Sequence, residues 1–362
     1  MINLLANQNK LLEQMNGLIE RQNQILQNQP STTDREVFVN DIDHDEMRCG
    51  FLVTSQRKKL WNVQINLINE FARICKKYNL RWFACGGTLL GAVRHKGFIP
   101  WDDDVDIMML RPDYNKFLKI AAKEIKHPYL LDNWYNYRRE SDKTPDILKN
   151  LPFIPKELEK VYFNGTFISF PITKIKDCRT TMIEAPDKFI NQGIWIDIFP
   201  YDVLPPFEDE EQKINFKVAC ELLTAVSHPE IIQSMIKNNQ PLTMRPEQLK
   251  TVLQLPFRER GICYDHFEEA IFFRSKKVGD MREYRLTKPR CIPGYCHDMK
   301  NYDDVIYLPF EKIEIPAPAG WENYLTTAYG DWRKPVYTHN HTFDYSVDIP
   351  YTEYYRTSAF MR

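Results

Sequence analysis

The chain has 362 residues, with 48 Lys and Arg against 49 Asp and Glu and a formal net charge of −1. That balance excludes a polyanion as the main partner, because nucleic-acid binders carry a basic excess or stripe. No run of about eighteen apolar residues is present to cross a membrane, and no basic segment followed by an apolar one reads as a secretory signal. The 8 cysteines are scattered without a compact framework, so the expectation is reduced thiols in a cytosol.

Residues 1–29 read as a coiled coil. Leu4, Leu11, Leu18 and Ile25 recur every seven residues, with Met1, Gln8, Met15 and Gln22 in the other seam position. Such a seam predicts a homo-oligomer through this helix; an amphipathic helix docked on its own domain or on a membrane is the alternative. Residues 30–50, beginning at Pro30-Ser31-Thr32-Thr33, read as linker. From about Phe51 to Tyr78 the spacing of Leu60, Val63, Leu67, Ile68, Phe71 and Ile74 predicts a helix.

A short strand near 81–84 then leads into Gly86-Gly87-Thr88 and a short helix. A glycine turn that opens a helix offers backbone N–H groups and the positive end of the helix dipole to phosphate. Arg94 and His95 follow, Arg94 as a phosphate contact and His95 as a general base or a structural hydrogen bond. The next segment, Pro100-Trp101-Asp102-Asp103-Asp104-Val105-Asp106, runs into the apolar Ile107-Met108-Met109-Leu110. In a strand, residues i and i+2 share a face, so Asp104 and Asp106 are expected side by side. Two adjacent carboxylates repel unless a cation lies between them, and Mg²⁺ or Mn²⁺ held by carboxylates and substrate phosphate oxygens is the usual solution. Asp102 and Asp103 read as turn formers or as support for the ligands. Trp101 reads as core packing or as a stacking surface.

Pro112 opens a helix to about Lys123. Residues 129–161 read as irregular, followed by a hairpin over 167–175 and 180–183 that carries Lys174 as a candidate for neutralising phosphate. Ile194–Phe199 is a strong strand in which Asp197 is an expensive charge to bury; it either completes the metal shell or takes a proton. Residues 209–238 and 246–282 read as helical, the latter with a break near Pro256. Short strands follow Arg290, then a helix over 321–329. Cys263, His266, Cys291, Cys296 and His297 offer zinc-type ligands, but their spacing is a poor match to a zinc motif, and no structural zinc is expected.

The segments Gly86–His95 and Gly97–Asp106 resemble the LicD family, the phosphotransferases related to fukutin and fukutin-related protein. Lys174-Ile175-Lys176-Asp177, Trp195-Ile196-Asp197-Ile198-Phe199-Pro200 and Trp321–Leu325 with Tyr329-Gly330-Asp331-Trp332 fit the same pattern. The resemblance implies an α/β (α+β) nucleotidyltransferase-like mixed sheet with flanking helices. It divides the chain into a core at 51–204, a mainly helical acceptor lobe at 205–302 and a completing part at 303–362. It implies Asp104, Asp106 and Asp197 as the catalytic, Mg²⁺-binding set, with Gly86, Gly87, Thr88, Arg94, His95 and Lys174 on the nucleotide or phosphate. The implied reaction moves a phospho-alcohol, phosphocholine foremost, from a CDP-alcohol donor to a glycan or glycolipid acceptor such as lipopolysaccharide or teichoic acid. It would take place in the cytoplasm or at the inner face of the membrane. An Asp-x-Asp glycosyltransferase using a nucleotide sugar, a nucleotidyltransferase using an NTP and a non-catalytic coiled-coil scaffold are the rival readings.

Overall fold

A computed structural model describes residues 35–133, 172–184, 191–204, 210–227, 229–254, 285–287, 296–337 and 343–351. The expected coiled coil at 1–29, the first half of the 167–175 hairpin, the helix beyond 254, and Cys263, His266 and Cys291 lie outside these residues.

The described chain opens with a hairpin rather than a linker running into a helix. Strands β1 (Glu46–Arg48) and β2 (Phe51–Val53) pair antiparallel across Cys49-Gly50, both at positive φ. Such a two-residue turn matches the twist of a hairpin. Val39 ahead of it is fully buried. Helix α1 (Ser55–Lys77) therefore starts four residues later than its apolar pattern suggests. Thr54 caps it by accepting the Arg57 N–H, and Lys76 and Lys77 sit at the negative end of its dipole.

Strand β3 (Phe83–Ala84) leads to α2 (Gly86–His95), which ends on Lys96 in the left-handed region. Strand β4 (Asp106–Leu110) passes directly into α3 (Arg111–Glu124), with Pro112 in the first turn, where its missing N–H costs nothing. A strand, β5 (Tyr129–Asp132), occupies the start of the stretch expected to be irregular. Next come β6 (Thr173–Asp177), β7 (Thr181–Met182) and the long β8 (Ile194–Leu204). The hairpin expected between 167–175 and 180–183 is not formed: β6 pairs with β5 and β8, and β7 pairs with β13 (Tyr345–Ser346).

Helices α4 (Glu210–Ser227), α5 (Pro229–Lys237) and α6 (Pro246–Leu253) pack on one another. The segment expected as a helical lobe returns to the main sheet through β9 (Arg285–Thr287) and β10 (Cys296–Asp298), with β9 pairing against the C-terminal end of β8. The hairpin β11 (Val305–Phe310) and β12 (Ile313–Pro318) precedes α7 (Trp321–Tyr329).

Among the described residues the main sheet is mixed and seven-stranded, in the order β10-β9-β8-β4-β3, with β6 and β5 also joined through β8. Among the described strands, only β4 and β8 run parallel. Helices α1 and α3 cover one face, meeting at Phe71 and Phe117 with ring centroids 5.1 Å apart. Beneath them Ile107, Met109, Ile175, Ile194, Ile196 and Ile198 are all buried. Alternation turns the intervening residues to the opposite face. There, Asp106, Asp197, Lys174 and Asp132 form one row across β4, β8, β6 and β5, each paired in register with the next. A buried Arg111–Asp202 pair, with both guanidinium–carboxylate bonds at 3.0 and 3.1 Å, ties the end of β4 to β8.

Candidate active site

The site gathers where the N-terminus of α2 meets the start of β4. Gly86 has φ +56°, a conformation that only glycine adopts without strain. Its missing side chain also makes room. A Cβ there would overlap Oδ2 of Asp106 and lie 3.3 Å from its Cγ. At Gly87 a Cβ would stand 2.7 Å from Oδ2 of Asp102. The glycine pair thus admits two carboxylates against the positive end of the helix, where negative charge is favoured. The backbone nitrogen of Gly86 donates to the Tyr324 hydroxyl at 3.1 Å, and the Thr88 hydroxyl accepts the Asp106 N–H at 2.8 Å. Gly86 and Thr88 were expected to meet phosphate directly; here they build the turn and hold Asp106.

Asp102, Asp104 and Asp106 form the acidic group. Burial, together with the nearby charges of Asp106 and Asp103, pushes the Asp102 carboxyl up to about 6, while a hydrogen bond shared with Asp104 draws it back. The strand proper begins at Asp106, so Asp104 stands in the approach to it. Asp103 is fully buried, and its Oδ2 receives the Phe343 N–H at 3.4 Å. Trp101 packs edge-on against Phe51 and Tyr337.

Asp197 lies beside Asp106 in the β4–β8 register, with one oxygen hydrogen-bonded and the other ion-paired. Trp195 Nε1 donates to Oδ2 at 3.1 Å, and the Lys174 ammonium stands 3.2 Å from Oδ1. Lys174 is itself buried, bonded to Glu184 at 2.7 Å, with its ammonium 4.2 Å from the centre of the Trp195 ring. Burial alone would lower the lysine, but Asp197 and Glu184 outweigh it and hold the ammonium charged. Lys174 therefore serves Asp197 rather than offering an open cation to phosphate.

Arg94 and His95 are not brought to the acidic group. They occupy the last turn of α2, about 12 Å of helical rise from Gly86. Arg94 donates to His95 Nε2 at 2.9 Å and to the Trp332 carbonyl at 3.0 Å. Burial and the charges of Arg94 and Arg48 lower the His95 imidazole to about 4.

Three residues given no place in the site by the sequence reading touch the acidic turn. Arg57 and Trp61 of α1 both donate to the Asp102 carbonyl, at 2.8 and 3.0 Å, and Gln64 donates to the Asp103 carbonyl at 2.7 Å. Their i, i+4, i+7 spacing was the available signal, hidden among ordinary helix residues. Tyr324 was noticed only as part of a motif; its ring stacks on His297 at 4.0 Å.

Among the described residues, no three His, Cys, Asp or Glu side chains are grouped ready to enclose a metal. The donor set present is a hard one, of carboxylate oxygens, with Asp102 raised chiefly by burial and further by the charges of Asp106 and Asp103. It fits a Mg²⁺-type ion that takes one or two carboxylates and fills its remaining positions with water and phosphate oxygens.

A family model described as the LicD/FKTN/FKRP nucleotidyltransferase domain matches residues 79–189. The chain is 26% identical over 292 residues to the lipopolysaccharide cholinephosphotransferase LicD of Haemophilus influenzae, covering 75% of this chain and 89% of that protein. Shorter stretches match uncharacterised proteins of Rickettsia typhi, 41% identical over 69 residues and 22% of that protein, and Rickettsia prowazekii, 45% identical over 47 residues and 18% of that protein.

Proposed function

Because the chain is a member of the LicD family, we propose that it transfers a phospho-alcohol, phosphocholine foremost, from a CDP-activated donor to a hydroxyl of a cell-surface glycan, with CMP leaving. The observation that carries this reading is the approach of Asp106 and Asp102 to the glycine-opened end of α2, with Asp104 bonded to Asp102 and Asp197 in register beside Asp106.

Asp104 and Asp106 would hold a divalent cation, Mg²⁺ or Mn²⁺. When bound, such an ion neutralises charge on transferring phosphate oxygens. Gly86 and Gly87 let the carboxylates approach the helix end, and Thr88 fixes the strand at Asp106. Asp102, its carboxyl raised to about 6 chiefly by burial, supports the pair. Asp197 takes the proton of the attacking acceptor hydroxyl. Lys174 orients Asp197 through their ion pair, and the phosphate role read from sequence passes away from it. Arg94 and His95 brace the far end of α2. No helix among the described residues is long and apolar enough to cross a membrane.

The test is CMP release from a panel of CDP-alcohols with Mg²⁺, with and without acceptor glycans, beside an Asp104→Ala/Asp106→Ala control. CMP from one CDP-alcohol, lost in the control, is expected. Release of UDP or GDP from a nucleotide sugar would replace this reading with a glycosyltransferase, and pyrophosphate from an NTP with a nucleotidyltransferase.

A further inference from the structure

Gln64 is anomalous on physical grounds. It sits within α1, fully buried, and its amide nitrogen donates to the Asp103 carbonyl at 2.7 Å. A carbonyl accepts only from a donor, so this bond fixes the orientation of the amide, and Oε1 is left buried without a hydrogen-bond partner. A buried acceptor that has surrendered water and gained nothing is destabilising. An unbranched apolar side chain of the same length would avoid that cost on a helix otherwise lined with Leu, Ile and Phe.

The neighbours of Gln64 on the same helix face explain its retention. Arg57, Trp61 and Gln64 direct three donors at two carbonyls, those of Asp102 and Asp103, and these bonds use no carboxylate oxygen. The turn they grip carries three consecutive aspartates, with Asp106 two residues beyond. Like charges so close drive such a turn to splay. Donors aimed at the backbone hold it closed without neutralising the side chains.

We propose that Arg57, Trp61 and Gln64 are positioning residues that pre-arrange the acidic turn, so that Asp104 and Asp106 present their carboxylates to a divalent cation; this rests on the reading of those two aspartates as cation ligands. The clamp acts through the backbone. Its residues touch neither cation nor substrate, and their effect is read as cation affinity.

The test measures Mn²⁺ affinity of the full chain by electron paramagnetic resonance, together with thermal unfolding in the absence of metal. Gln64→Met removes the clamp and exchanges the orphaned amide oxygen for an Asp103 carbonyl that has lost this donor, so the two costs offset and the unfolding temperature should stay near that of the wild type while Mn²⁺ binding weakens roughly tenfold or more. Arg57→Gln supplies an independent sign. Removing a positive charge near the aspartates would tighten Mn²⁺ binding by electrostatics alone, whereas loss of the clamp weakens it. Wild-type affinity in Gln64→Met, or tighter binding in Arg57→Gln, overturns the proposal. Asp104→Ala separates the two levels: if it binds Mn²⁺ like the wild type, the reading of the cation site has failed and the clamp falls with it. Loss of binding in Asp104→Ala but not in the clamp variants refutes the clamp alone.

Discussion

Replacing Gly86 with alanine tests the construction of the site at a single atom. Two costs add at this position. The left-handed backbone, φ +56°, costs an alanine about 1–2 kcal/mol. The new Cβ also overlaps Oδ2 of Asp106, so the carboxylate must withdraw by about 1 Å to restore ordinary contact. A displacement of that size at a reacting centre costs on the order of 10²-fold in rate. Two further variants separate the terms. Gly50→Ala carries the backbone strain, φ +75°, with nothing within 4 Å of its Cβ; it should lose about 1 kcal/mol of stability and keep its activity. Gly87→Ala crowds Asp102 Oδ2 at 2.7 Å without a positive φ; it should lose activity with little change in unfolding. The assay is chemical denaturation beside CMP release under saturating Mg²⁺. If Gly86→Ala retained more than half the wild-type rate, or if Gly50→Ala lost as much activity as Gly86→Ala, the steric argument would be refuted.

Thr88→Val leaves the Asp106 N–H without the hydroxyl that accepts it; a stability loss of about 1–3 kcal/mol should appear in urea unfolding. Arg111→Met strips Asp202 of a buried guanidinium and should cost about 3–5 kcal/mol, much of it recovered in Arg111→Met/Asp202→Leu because both charges then leave together. His95 has its imidazole lowered from about 6.5 to about 4 by burial and by Arg94 and Arg48. The folded chain therefore binds fewer protons than the unfolded chain between these values, and stability rises with pH across that window. The contribution is complete above about 6.5 and fades as pH falls toward 4; His95→Gln should flatten unfolding curves in this range, and an unaltered pH slope would contradict the assignment.

Much of the site was legible because its signals are local. Period-two alternation placed Asp106 and Asp197 on strand faces, and Gly86-Gly87 marked a turn that only glycine allows. What the glycines admit was not legible, since a glycine turn that cradles phosphate and one that seats carboxylates look alike in sequence. Arg57, Trp61 and Gln64 lie 39 to 45 residues from the carbonyls they hold, and no local pattern encodes such a contact. Their helix was itself misplaced at its start, because Phe51-Leu52-Val53 continues the apolar run; Thr54, a strong N-cap, marked the true boundary. Strand β5 escaped notice because four residues after Pro128 carry too little periodicity. Lys174 read as a hairpin lysine available to neutralise phosphate, whereas its register opposite Asp197 buries it in an ion pair, which depends on a pairing 23 residues away.

The bond from the Gly86 N–H to the Tyr324 hydroxyl spans 238 residues, and it sets an order of events during synthesis. At roughly 5–20 residues per second, the glycine turn and its aspartates leave the ribosome on the order of ten to fifty seconds before α7 exists to meet them. The acidic turn can dock on α1, which is made first, but the left-handed residue at its edge waits for the C-terminal helix. A chain released early therefore carries the aspartates without the fixed glycine that seats Asp106, and competence arrives only with the last tenth of the polypeptide.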